Sequence, residues 1–413
     1  MEAKDIKPEQ HEEFYKFITH AQADRPRYTL QYKTDAPVNL RTLLYVPQQK
    51  PTLFDMARDS EVGVGVALYS RRILIQSRAK DILPRWLRFL KGVVDSEDIP
   101  LNISRELLQQ TVLINKLRQV LTDKMVRFFQ NEMKKDLITY EEFYKDYGLY
   151  FKEGIISTLD FDEKENIAKL LLFESSNARG GIKTTLKEYC SKMQADQKDI
   201  YYLCAPNREL AETSPYYEAM KEKSLEVLFC YEPYDELMLL QLQRFDGKNL
   251  TSVEKCVRQE KETDREPTGP MEKKEAKDLM DWIQLTLGSK KVNQIKMTNK
   301  LSNHPCIVTV EEMGAARHFV KTQHELTQDQ RYMLLKPTLE INPRHRIILG
   351  LNKLRSSDTK LAEKMVEQLY DNAMVAAGLL DDPRIMVNRM TDLMGEMLER
   401  QGLVNDRSTI ITP

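Results

Sequence analysis

The segment Gly92-Val-Val-Asp-Ser-Glu-Asp-Ile-Pro-Leu-Asn-Ile-Ser-Arg-Glu-Leu-Leu-Gln-Gln110 packs three acids, a proline and an asparagine into a loop, then presents Arg105 on the first turn of a helix. Ser104 is suited to cap that helix and Glu106 to its positive end. Arg105 is a cation at the end where cations are disfavoured. Two readings are open. One is a local salt bridge to Asp95, Glu97 or Asp98; the other is a guanidinium that works with backbone N–H groups on an anion such as phosphate.

Other chemical signatures are incomplete. Gly63-Val-Gly65 lies in a strand-like run and lacks the third glycine and helix start of a dinucleotide fingerprint. Gly180-Gly-Ile-Lys183-Thr184 has no glycine directly before its lysine, so it is not a phosphate loop. Asp160-Phe-Asp-Glu-Lys-Glu lacks the central glycine and final glutamate of a calcium loop. His11-Glu12 has no second histidine four residues on, and His304, His318, His324 and His345 have no metal-like spacing. No nucleophile motif is present. The expectation is a chain with no metal and no complete active site of its own.

Composition narrows the class. A length of 413 residues accommodates two to four domains. Acids and bases nearly cancel, to a formal net charge of −1, which argues against wholesale nucleic-acid binding and leaves only a local basic patch open. The five cysteines (Cys190, Cys204, Cys230, Cys256, Cys306) are scattered and read as buried thiols in a reducing compartment. No apolar run reaches the roughly 18 residues that a membrane span needs. Met1-Glu-Ala-Lys-Asp resembles neither a signal nor a transit peptide, so the chain is expected to be cytosolic or to have lost a leader.

The elements that must position these residues follow from periodicity. Residues 8–21 read as a helix, Asn39–Val46 and Val64–Gln76 as strands, and Asp81–Leu90 as a helix with Pro84 in its first turn. A long helix begins near Ser104, and the chain is mainly helical to about Met193. Ile200–Cys204 and Glu226–Tyr231 are buried-strand runs flanking a helix at Glu209–Lys223, the pattern of a βαβ unit. Residues 258–275 have almost nothing to bury and contain Pro267, Gly269 and Pro270, marking a boundary. A smaller α+β region follows, with a helix at Lys277–Leu287 and strands at Val292–Met297 and Ile307–Val310.

The chain ends in helices. Lys360–Gly378 carries Leu361, Met365, Leu369, Ala373 and Ala377 at spacing four, flanked by Val366, Tyr370 and Met374. Asp382-Pro383 then opens a helix bearing Met386, Met390, Leu393 and Met397, with Ile385, Met394 and Leu398 beside them. These stripes are wide for helices packed on one side, and methionine suits an adaptable seam. Two helices from each chain forming a four-helix interface is the expectation, through Leu369, Met374, Met386, Met390, Leu393 and Met397. The plainer alternative is that the stripes close the domain's own core. Met313–Val320 is amphipathic, and residues 321–335 are polar and loop-like.

The run Leu83-Pro-Arg-Trp-Leu-Arg-Phe-Leu-Lys-Gly and its continuation to Gln110 closely resembles the signature of the ninety-kilodalton heat-shock chaperone family. So do Ile200-Tyr-Tyr-Leu, Ser214-Pro-Tyr and Glu226-Val-Leu-Phe. Tyr201-Tyr-Leu-Cys-Ala-Pro-Asn-Arg, Met313-Gly-Ala-Ala-Arg-His-Phe and Leu339-Glu-Ile-Asn-Pro-Arg-His345 look most like its mitochondrial branch. The resemblance implies a multidomain α+β and α/β chain. Its middle domain would have an α-β-α layered part (1–160), a helical connector (161–197) and a small βαβ part (198–257); a charged linker (258–275) and an α+β dimerisation domain (276–413) would follow.

The resemblance further implies an ATP-dependent chaperone whose N-terminal nucleotide-binding domain this chain lacks. Arg105 matches the arginine that reaches the γ-phosphate of ATP held by that domain, and Asn102 and Gln109 match its neighbours in the catalytic loop. A cation from a second domain would stabilise charge on the transferring phosphoryl group and tie hydrolysis to domain closure. ATP and magnesium thus belong to the full-length protein; this chain holds no cofactor and is expected to be inactive alone. Its implied partners are a second copy, client proteins and its own nucleotide-binding domain, with no nucleic acid. Trp282, Met313 and Phe319 are the implied client contacts, and the mitochondrial matrix the implied location. Two rival readings are a nucleotide-independent dimeric scaffold and a metabolic enzyme built on the βαβ unit, the latter lacking a glycine-rich phosphate loop.

Overall fold

The computed structural model describes residues 6–51, 65–99, 112–178, 181–259, 271–323, 325–380 and 382–400. The chain forms two compact units. The first runs to Phe173 and takes in Lys183–Lys192 and Arg244–Gly247; the second holds Glu174–Ile182, Met193–Gln243 and the chain from Lys248 onward. The architecture is the expected mixture of helices and sheets.

In the first unit, strands β1 (Pro26–Thr34), β2 (Leu40–Pro47), β3 (Gly65–Ser70), β4 (Ile73–Gln76) and β5 (Lys91–Asp95) form one sheet in the order β1-β2-β5-β3-β4. β3 and β5 are parallel and the other neighbours antiparallel. Alternation along β3 buries Val66, Leu68 and Ser70 on one face. The single strand expected over Val64–Gln76 is instead a hairpin, because Arg71 and Arg72 both take positive φ and reverse the chain. Lys91–Asp95 is an inner strand, so the start of the segment Gly92–Gln110, expected to be loop, belongs to the sheet. Gly92 permits it: a β-carbon there would lie 2.1 Å from the Leu43 carbonyl oxygen, and φ is +149°.

The helix expected at Asp81–Leu90 reduces to one 3-10 turn, Arg85–Leu87, preceded by an extended Pro84. Trp86, Leu87, Phe89 and Leu90 are all buried, on every side of the turn rather than along one helical stripe. Helices α1 (Pro8–Thr19), α2 (Val112–Lys135), α3 (Leu137–Ser157), α4 (Phe161–Ala168) and α5 (Leu186–Lys192) complete the unit. Asp136 caps α3 by accepting from the Thr139 N–H. Its rings interlock: Phe143 stacks on Phe129 at 5.0 Å and on Tyr147 at 5.2 Å, and Phe151 meets Trp86 edge-on at 5.7 Å. Buried Arg88 lies over the Tyr150 ring and pairs with Glu153 at 2.7 Å, so its charge is balanced inside this core.

In the second unit, strands β6 (Phe173–Ser175), β7 (Asp199–Cys204), β8 (Leu228–Cys230) and β9 (Lys248–Ser252) lie in the order β9-β7-β8-β6. β7 and β8 are parallel with Cys204 opposite Cys230, as the βαβ pattern required. The helix between them is broken into α6 (Arg208–Glu212) and α7 (Pro215–Glu222), because Ser214 caps a new start and Pro215 cannot donate to the preceding turn. Helices α8 (Pro233–Leu242) and α9 (Val253–Gln259) follow.

Strands β10 (Gln294–Met297), β11 (Cys306–Thr309) and β12 (Thr338–Ile341) form a second sheet in this unit, order β10-β12-β11. Around it lie α10 (Lys273–Leu287), α11 (Met313–Thr322), α12 (Gln328–Leu335), α13 (Arg346–Ser357), α14 (Thr359–Ala377) and α15 (Val387–Arg400). Helix α12 corrects the loop expected at 321–335: Thr327 and Gln330 form a capping box that starts it. One apolar core runs from Leu203 and Phe229 to Val308, Leu339 and Tyr370. Glu218 on α7 accepts from the Asn303 N–H at 2.6 Å and from its side-chain amide at 2.8 Å, with His304 Nδ1 at 2.9 Å.

Cys230 and Cys306 are buried, while Cys190, Cys204 and Cys256 are half-buried, and none of the five is in a disulfide. Burial pushes the Cys306 thiol up to about 12, which makes it a poor nucleophile.

Candidate functional site

Asn102, Arg105 and Gln109 lie outside the described residues. Their acidic neighbours are engaged elsewhere: Glu97 faces Arg41 at 3.5 Å, Asp98 accepts from the Asn39 N–H at 2.7 Å, and Asp95 from the Arg72 N–H at 3.3 Å. No group of three or more His, Cys, Asp or Glu side chains is placed to hold a metal ion among the described residues. Nor is any of their helices long and apolar enough to cross a membrane.

The C-terminal helices have a different character. Asp358 caps α14 by accepting from the Leu361 N–H, and Gly378 ends it in the left-handed conformation. Asp382 accepts from the Arg384 N–H and pairs with its guanidinium, which together hold its carboxyl down at about 2. The turn it starts is 3-10 over Pro383–Met386 before α15 begins. Helix α14 packs into the domain core through Leu361, Ala362, Val366, Tyr370, Ala373, Met374 and Ala377. Helix α15 buries none of its residues. Val387, Met390, Met394, Met397 and Leu398 recur three, four, three and one residues apart on one face, each 44% to 57% exposed.

Polar contacts hold α15 against α14. Arg389 pairs with Asp371 at 2.9 Å and Glu367 at 3.3 Å, Lys364 with Glu396, and Arg400 with Asp358. Burial pushes the Asp371 carboxyl up, and Arg389 offsets only part of that. The ionic face therefore turns inward and the methionine face outward, an arrangement suited to a partner helix.

The expected interface residues divide accordingly. Met390 and Met397 stand on the open face, whereas Leu393 and Leu369 are half-buried. Met386 is 9% exposed and Met374 fully enclosed, so neither offers surface in this conformation. Among the expected client contacts, Met313 is buried under α11, and Trp282 and Phe319 are half-buried. The open apolar side chains nearby in sequence are Leu285 on α10, 82% exposed, and Met333 and Leu334 on α12. Sequence reading missed these two helices' outer faces. The capping box at Thr327 was the available signal for the second.

A family model described as "Hsp90 protein" matches residues 1–409. The chain belongs to the Hsp90 family. Among Hsp90 relatives, the rat "Heat shock protein 75 kDa, mitochondrial" is 55% identical over 407 residues, covering 97% of this chain and 57% of that protein. The Dictyostelium discoideum "TNF receptor-associated protein 1 homolog, mitochondrial" is 37% identical, covering 96% of this chain and 55% of its own length. "Chaperone protein HtpG" of Desulfitobacterium hafniense is 35% identical, covering 95% and 63%. The chain spans little more than half the length of the first relatives it matches. The rat and Dictyostelium proteins are mitochondrial by name, which supports a mitochondrial location for this Hsp90 chain.

Proposed function

We propose that this chain is the middle and C-terminal portion of an ATP-dependent chaperone that binds unfolded or partly folded proteins and pairs with a second copy through its last helices. The divisions at 160, 197, 257 and 275 are part of this reading. The observation that carries it is α15, a helix with no buried residue and a continuous methionine-rich face open to solvent. Burying such a face against its counterpart removes apolar area from water at about 25 cal/mol per Å². Sedimentation of the chain at micromolar concentration tests it: a dimer is expected, and a strict monomer defeats the reading.

Arg105, Asn102 and Gln109 supply a guanidinium and two carboxamides, a donor set suited to phosphate oxygens. ATP, when bound by a nucleotide-binding domain, supplies the phosphoryl group. Arg105 would then place positive charge against its terminal phosphate, which favours the transition state. In a protein joined to such a domain, Arg105→Ala should lower hydrolysis by about a hundredfold or more, as loss of a transition-state cation does. The chain by itself should show no turnover; turnover abolished by that substitution would contradict the assignment. Client binding is assigned to α10, α11 and α12, where Trp282 and Phe319 are partly open and Leu285, Met333 and Leu334 largely so.

A further inference from the structure

Arg317, on α11, is the most heavily committed side chain of the second unit. Its Nη1 donates to Glu236 on α8 at 2.5 Å, its Nη2 to Glu254 on α9, and its Nε to the Ala377 carbonyl oxygen at 2.8 Å. The three partners lie 81, 63 and 60 residues away in sequence. All is buried: the Arg317 side chain is 10% exposed, Glu236 15% and Glu254 1%.

Each contact has a physical reason. Ala377 closes α14, so its carbonyl is one of the helix's terminal acceptors, and a cation there also meets the negative end of the helix dipole. The fit is close on both sides. A β-carbon on Gly314, one turn before Arg317, would come within 2.8 Å of Glu236 Cγ. A β-carbon on Gly378 would meet the Arg317 stem at 3.4 Å.

Burying this set is costly. Two carboxylates share one guanidinium, and among the described residues Glu254 Oε2 has no hydrogen-bond partner. Burial pushes the Glu236 carboxyl up despite the nearby Arg317. Lys321 also acts on Glu236, yet a buried ionic set of this kind is weak evidence for stability, because its charges lose their hydration. Simple closure of a core would be served better by apolar side chains.

We propose that Arg317 is a positioning residue that couples α8 and α9 to the C-terminal end of α14, so that a shift at either glutamate is transmitted to the chain that leads into α15. The guanidinium is a rigid planar fork, so its three bonds cannot be kept if one partner moves alone. The coupling is independent of dimerisation and of client binding.

Hydrogen exchange on the whole chain tests it through a cycle of two substitutions. The reporters are the Gly378 and Leu379 amides, which donate to the Val375 and Met374 carbonyls. Glu236→Gln should speed their exchange about tenfold while Arg317 is present, the effect of weakening one charge-assisted bond. In an Arg317→Met background the same change should have no further effect. Equal acceleration in both backgrounds, or none in either, would overturn the proposal. If Arg317→Met alone fails to fold, the cycle is run with Glu254→Gln added, which removes a stranded buried charge. A merely structural ion pair would also be non-additive, but it would speed exchange throughout the second unit by lowering its global stability, whereas the proposal requires the acceleration to be confined to the end of α14.

Discussion

Helices α3 and α15 are both built from large apolar side chains at helical spacing, and they meet opposite fates. Helix α3 encloses Tyr140, Phe143, Tyr144, Tyr147, Tyr150, Phe151 and Ile155 within a web of aromatic rings. Helix α15 fully encloses nothing, and ion pairs from Arg389 and Glu396 help to fix it against α14. An apolar stripe states that a partner surface is needed; it does not state whether the same fold provides it. Stiff rings suit a partner fixed within one core, whereas unbranched methionines suit a surface that must adapt to a separate body.

The contrast is open to direct attack. The largest effect is expected at Phe143→Ala, which removes a ring in contact with Phe129, Tyr147 and Phe151. Urea unfolding of the first unit should lose about 3–5 kcal/mol, the usual cost of an aromatic truncation in a core. Met390→Asp combined with Met394→Asp should leave folding stability nearly unchanged, since both side chains are already half in water. Self-association should weaken about a hundredfold, as for loss of central apolar contacts at an interface. If stability fell and association did not, α15 would be part of the core after all.

A smaller effect concerns pH. Burial raises the Glu218 carboxyl, but hydrogen bonds from His304 and Asn303 outweigh it, and the net position is below the ordinary value of 4.5. A depressed carboxylate stabilises the fold fully above that value, and the contribution is lost as pH falls below it and through the group's own lower value. Acid unfolding of the second unit should therefore begin in this range. Glu218→Gln should flatten that part of the pH profile while leaving the first unit's profile unaltered. An unchanged second-unit profile would assign its acid sensitivity to other groups.

Local signals were legible where chemistry and structure share a short range. Asp382-Pro383 starts a turn because an oxygen cap and a proline are both suited to it. The βαβ pair at Ile200 and Glu226 was readable because parallel strands covered on both faces need unbroken apolar runs. Failures came where a distant segment decides. Leu83–Leu90 carries helix-like apolar content, but its residues are taken up singly by a core that α2 and α3 complete. Met374 shares the α14 stripe with Leu369, yet lies in the core while its neighbour is only half-covered. Glu236, Glu254 and Arg317 could not be connected from spacing, since no periodicity spans 63 or 81 residues. Arg105, Asn102 and Gln109, proposed to face phosphate, rest on the motif resemblance alone and lie outside the described part of the chain.

Gly314 brings one further consequence. Because the gap to Glu236 is narrower than a single carbon substituent, the residue acts as a shim of zero thickness between two helices. An alanine introduced there would behave as a wedge driven against the Glu236 carboxylate, whose Oε1 would lie 3.0 Å from the new carbon, so one methyl group would press on the very oxygen that Arg317 holds.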